Sequence, residues 1–243
     1  TNNTVRRTSI YNAHPDINSI VVSVLGSNNL VEDCVVGGFG RKMMYVFGSG
    51  TRNIFRRCFV AWQEWDGREF SPGNWPWGDS IETYNASGNV FENCIVYGMT
   101  PGPGSGINIF SQGGQSSSNN AVLGTMAVKA GMKWNGTSMT WPCPSPYDSS
   151  APCTNLAGWN YRSGFRLGNF GETTRNNLFQ DIFAYGNGGY GMHVDLSSGN
   201  TNQLVRATML NNGLGSGEKG LSFESSDRSL FSTWTNNNIQ GVD

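Results

Sequence analysis

The sequence predicts an all-β chain wound as a parallel solenoid, and three observations predict it. A six-residue motif returns eight times along 243 residues: one polar residue, two mostly apolar ones, two variable ones and a small one. The chain carries 33 Gly and 28 Asn, residues that favour turns and interrupt helices, so a helical bundle is excluded. Short clusters of Val, Ile, Leu, Phe and Met recur throughout, which separates the chain from a disordered Gly/Asn/Ser tract.

The motif begins at Asn3, Asn29, Asn53, Asn89, Asn120, Asn177, Gln203 and Ser229. Its spacing is about 25 residues, with three longer steps that mark insertions. A unit this short, with no helical period, closes on itself as successive strands separated by Gly/Asn turns. Stacked units then pair in parallel, each about 4.8 Å from the next.

Alignment of the units sets the register. One inward column is Val5, Val31, Phe55, Phe91, Val122, Phe179, Val205 and Phe231, and a second is Ile10, Val36, Val60, Val96, Ala127, Ala184 and Leu210. Between them runs Thr8, Cys34, Cys58, Cys94, Thr125, Ile182 and Thr208, a place where related coils often carry an Asn ladder. Each unit also ends in a short alternating strand, at 81–84, 107–110, 165–168, 192–195 and 221–224, whose first and third residues face inward.

With this pattern on the page, the chain resembles the right-handed parallel β-helix superfamily of pectate-lyase-like proteins. The resemblance implies a right-handed parallel β-helix of about seven to eight coils, a single domain over 1–243 with Trp-rich insertions near 61–78 and 129–163. It is specific for fold and weak for function, because the same fold serves lyases, hydrolases, epimerases, tailspikes and adhesins.

Sixteen basic and seventeen acidic residues give a net charge of −1, so no basic field for nucleic acid is present. No run approaches the roughly 18 apolar residues that a membrane-spanning helix needs. Seven of the eight Trp fall in the two insertions. Trp62, Trp65, Trp75 and Trp77 in the first, with Trp134, Trp141, Trp159 and Tyr161 in the second, are candidates to stack on sugar rings; equally, they could form small aromatic cores that order the loops.

The outward positions of the terminal strands align as Glu82, Asn108, Arg166, His193 and Ser222, with Asp195 in the next row. A carboxylate, a guanidinium and an imidazole one coil apart form an acid/base strip, and Glu82, Arg166, His193 and Asp195 are the catalytic candidates, with Asn108 binding substrate. The alternative is a set of solvated polar residues on an outer strand face. In the family's lyases an Arg or Lys removes the proton alpha to a uronate carboxylate, often with Ca²⁺; the resemblance allows Arg166 or His193 as base and Ca²⁺ as cofactor. The sequence itself implies no metal site, and lacks the family's Arg-x-Pro-x-x-Arg and Gly-His-Gly motifs. Asp79 and Asp181 read as turn caps.

Cys34, Cys58 and Cys94 share one place in consecutive coils, without the CxxC pairs or nearby His of a metal site, and read as packed thiols. Cys143 and Cys153 flank a Pro/Ser loop, where a disulfide would staple the insertion in an oxidising, extracellular setting; two free loop thiols are the other reading. The repeat already runs at Asn3 and still runs at Trp234, so the solenoid is expected to continue into further chain or to stack end to end with copies of itself. The functional expectation is an extracellular carbohydrate-active β-helix, lyase-like or hydrolase-like, that binds polysaccharide. Its rival is a non-catalytic adhesin or filament-forming solenoid.

Overall fold

A computed structural model describes residues 1–12, 20–38, 42–62, 79–98, 105–130, 133–134, 139–140, 163–169, 174–196, 201–213, 220–223 and 231–240. Three all-parallel sheets wrap one core, two of eight strands and one of seven, as a solenoid of seven to eight coils requires. The first sheet runs from Thr4–Arg6 to Phe231–Thr235 and the second from Ser9–Asn12 to Asn238–Ile239. The third, from Ile20–Val24 to Leu221–Phe223, carries the candidate site. The described residues at the two ends, 1–12 and 231–240, form strands and no capping helix.

The polar residue that opens each motif is the structural pin of the coil. Asn29 donates its backbone N–H and its Nδ2 to Asn53 Oδ1, both at 2.9 Å. The same double bond repeats from Asn3 to Asn29, Asn53 to Asn89, Asn89 to Asn120, Asn120 to Asn177 and Asn177 to Asn202. The Asn ladder therefore lies at the motif's first residue and not in the column of Cys34, Cys58 and Cys94. A buried amide needs partners on both sides, and the coil repeat supplies them.

Between the first and second sheets every coil turns a corner through a residue with φ between 52° and 56°: Arg7, Asp33, Arg57, Asn93, Gly124, Asp181, Arg206 and Asn236. Left-handed backbone is costly for most of these residue types. The N–H groups freed there bond to the next coil, as Asp181 N–H does to the Val205 carbonyl at 3.0 Å. Asp181 thus sits at a corner as expected, and its carboxylate takes Arg206 Nε.

The core columns stand as aligned for most of their length. Phe55, Phe91, Val122 and Phe179 are fully buried, and the Phe55 and Phe91 rings stack at 5.1 Å. Val36, Val60, Val96, Ala127 and Ala184 line the second sheet's inner face, and Cys34, Cys58 and Cys94 are buried between the columns as free thiols. Val5, on the terminal coil, is 39% exposed.

The seventh coil corrects the sequence register by one residue. Leu204, not Val205, pairs with Phe179, and Met209, not Leu210, pairs with Ala184. Ala207 is buried where Thr208 was expected. The cause is the ladder: Asn202 has the short carboxamide that accepts from Asn177, whereas Gln203, read as the anchor, points outward from the strand. A bulge at Asn202/Gln203 then shifts the last strand, so that Phe231 pairs with Asn202.

Candidate functional site

On the third sheet, inward residues are apolar and buried: Ile81, Ile107, Ile109, Phe165, Leu167, Met192 and Val194. The alternation that buries them turns Glu82, Asn108, Arg166, His193 and Ser222 to the other face, in one register line across five coils. These side chains are not solvated, as the alternative reading required. Glu82, Asn108, Arg166 and His193 are each at most 4% exposed.

Two ion-pair groups form the strip. Lys42, at the start of the strand Lys42–Phe47, places Nζ 2.6 Å from Asp79 Oδ2 and 2.5 Å from Glu82 Oε2. Burial acts to lower its pKa, but the carboxylates of Asp79 and Glu82 outweigh that and hold the ammonium above its ordinary 10.5. Asp79 Oδ1 also accepts the Ser105 N–H at 2.7 Å, and Asn108 Nδ2 leans on Asp79 and Glu82 at 3.3 and 3.4 Å. Asp79 is therefore a core member of the strip rather than a turn cap.

The second group is Arg166 with Asp195, Nη2 to Oδ2 at 2.8 Å. Gly168 stands between Phe110 and Asp195 in the outer row, and a Cβ there would approach Arg166 Nε to 3.1 Å and Phe110 to 3.2 Å. Its bare backbone lets the guanidinium lie across the strand, 5.5 Å from the Phe110 ring centre. His193 stacks its ring on Tyr190, centroids 5.6 Å apart and planes nearly parallel.

Beside the charges runs a row of rings. Tyr45 and Phe47 stack at 5.8 Å, Phe47 lies 5.6 Å from Tyr84, and Tyr84 lies 5.2 Å from Phe110. Charges and rings together line a groove of about 830 Å³. Lys42, Asp79, Glu82, Asn108 and Arg166 line it with the four rings, Tyr45 in register with Glu82 and Phe47 with Tyr84, and Asn85, Gln112 and Gln115 supply amides. Tyr84 OH donates to Gln112 Oε1 at 2.6 Å. Glu82, Asn108 and Arg166 are thus brought together, while His193 and Asp195 lie one coil beyond, reaching the groove through Arg166.

A comparison with solved structures finds pectate lyase Pel9A, seen in a crystal structure, with a TM-score of 0.50 and 16% identity over 96% of this chain and 52% of that one. The chain is a parallel β-helix of pectate-lyase-like fold. It spans about half the length of that protein, and at this identity the likeness carries the fold alone. No family model and no curated protein matches the sequence.

In this β-helix Ca²⁺ does not fit the strip: Asp79 and Glu82 already share the Lys42 ammonium where a cation would sit. Among the described residues no group of three or more His, Cys, Asp or Glu is placed to hold a metal ion. Trp62 ends a strand of the second sheet, and Trp134 lies in the short ribbon of Lys133–Trp134 with Met139–Thr140. Trp65, Trp75, Trp77, Trp141, Trp159, Tyr161, Cys143 and Cys153 lie outside the described residues.

Sequence reasoning missed Lys42, Tyr45 and Phe47. Their strand reads Lys-Met-Met-Tyr-Val-Phe, apolar on both faces after the first residue, so no polar alternation announces it. The signal lay in position: the third-sheet strands ending at Val24, Phe47 and Tyr84 each stop just short of a ladder asparagine, Asn29, Asn53 and Asn89.

Proposed function

We propose that this chain is a carbohydrate-active β-helix that binds polysaccharide in the groove of the third sheet and cleaves it by lyase-like or hydrolase-like chemistry outside the cell. The observation that carries the reading is the juxtaposition, in one groove, of the Tyr45, Phe47, Tyr84 and Phe110 rings with the Lys42, Asp79, Glu82 and Arg166 charges. Aromatic planes take the apolar faces of sugar rings, amides take hydroxyls, and carboxylates move protons at the glycosidic bond. In this role Glu82 and Asp79 are the acid/base candidates, Lys42 orients them through its two ion pairs, and Asp195 positions Arg166. His193 serves one coil along the same strip.

One observation favours a non-catalytic binder instead. Both described cations of the groove are consumed by internal pairs, Lys42 with Asp79 and Glu82, Arg166 with Asp195, which is the arrangement of a stable wall.

Incubation with a panel of uronate and neutral polysaccharides separates the readings, with absorbance following unsaturated products and a reducing-end assay following hydrolysis. Product from at least one polymer, lost in Glu82→Gln without loss of the fold, is expected. Binding with no product from any polymer would establish the non-catalytic reading.

A further inference from the structure

We infer that the glycan this groove accepts is built of uncharged sugars, an inference that rests on the groove being a glycan site. Among its described residues the groove has charges but no positive charge to spare. Its two described cations face three carboxylates, those of Asp79 and Glu82 on Lys42 and that of Asp195 on Arg166, at 2.5 to 2.8 Å. A uronate carboxylate could take Lys42 or Arg166 only by leaving a buried carboxylate uncompensated, which costs more than the new pair returns. An anionic polymer would therefore meet like charge.

The neutral groups point the same way. Asn108 turns its Nδ2 to the carboxylates of Asp79 and Glu82, so its amide orientation is set. Its Oδ1, buried and without a hydrogen-bond donor, is left as an acceptor. A sugar hydroxyl can donate to that oxygen, and an ionised carboxylate cannot. The electron-rich faces of Tyr45, Phe47 and Tyr84 favour the C–H face of a ring over an anion.

The inference selects the chemistry as well. An uncharged ring that also lacks a carboxyl ester has no carbonyl to acidify the neighbouring C–H, which closes the elimination route. Cleavage of such a sugar is then hydrolysis: the oxygen of water bonds to the anomeric carbon and gives up a proton to a carboxylate, the bond to the leaving sugar breaks, and the leaving oxygen takes up a proton from a carboxylic acid, with no redox change.

Calorimetric titration of the protein with the hexasaccharides of xylan, mannan and cellulose, and with hexagalacturonate, tests this at about 20 and about 200 mM salt. At least one uncharged hexasaccharide is expected to bind with an affinity that changes less than about twofold with salt, and Tyr84→Ala to weaken it about tenfold while Tyr84→Phe restores most of it. Tyr84 is half-buried on the outer face, and a thermal unfolding scan of each variant reports the fold. Hexagalacturonate binding more tightly than every uncharged sugar, with steep loss in salt, would overturn the inference and leave the glycan reading standing. Binding of no sugar at all would overturn both.

Discussion

Lys42 and Glu82 meet on the buried outer face of the third sheet, Nζ 2.5 Å from Oε2, with Asp79 completing the contact from the strand's first residue. Opposed charges this deep hold one another in place more than they stabilise the fold. Removing one partner is the costly event, because the others stay buried and charged.

Lys42→Met is therefore expected to cost about 3–5 kcal/mol near neutral pH. The pH profile gives an independent sign. The folded pKa of Lys42 is raised above 10.5 by the two carboxylates against the pull of burial, so its stabilisation is complete below 10.5 and is lost as pH rises through the folded value. Urea denaturation across pH 7 to 12 should show an alkaline decline in the parent that the variant lacks. Equal stability of the two proteins at neutral pH would contradict the pairing.

Phe91 is fully buried between Phe55 and Val122, whereas Val5, in the same column, is 39% exposed on the terminal coil. Phe91→Ala should lower the unfolding free energy by about 3–5 kcal/mol, and Val5→Ala by less than about 1 kcal/mol. Similar costs at the two positions would show that the column is not one continuous core.

Asn120 accepts both the backbone N–H and the Nδ2 of Asn89, and donates onward to Asn177. Asn120→Ala strands the buried backbone N–H of Asn89, whose Nδ2 keeps the Gly50 and Ser87 carbonyls, an expected loss of about 2–3 kcal/mol by chemical denaturation. Asn120→Asp restores the acceptor but not the donor, and should fall between alanine and the parent.

The thiols of Cys34, Cys58 and Cys94 are at most 1% exposed and should resist alkylation until the chain unfolds. With Cys143 and Cys153 bridged, unfolding without reductant would release three reactive thiols, and with both free it would release five. Five thiols under those conditions would remove the bridge and, with it, the argument for an oxidising compartment.

Much of this was legible in the sequence because a solenoid repeats its physics. The Asn29, Asn53 and Asn89 spacing fixed the coil, and alternation in Ile81–Tyr84, Ile107–Phe110 and Phe165–Gly168 fixed which residues share the outer line. Legibility failed where two residues could serve one role. Gln203 and Asn202 are both polar before apolar residues, and only the carboxamide reach needed for the ladder distinguishes them. It failed again where a strand is apolar on both faces, as at Met43 to Phe47, since the outward Tyr45 and Phe47 are aromatic rather than polar and erase the alternation. Lys42 was lost for that reason, and without it Asp79 read only as a turn cap.

The central claim is that glycan binds the outer face of the third sheet and not the exposed apolar face of the second, where Phe59 and Tyr97 stand. The most direct measurement is the dissociation constant of the best-binding polysaccharide for two pairs of variants, Tyr45→Ala and Tyr84→Ala against Phe59→Ala and Tyr97→Ala. The first pair should weaken binding about tenfold or more, and the second should stay within about twofold of the parent. Loss confined to Phe59→Ala and Tyr97→Ala would place the glycan on the second sheet and contradict the account.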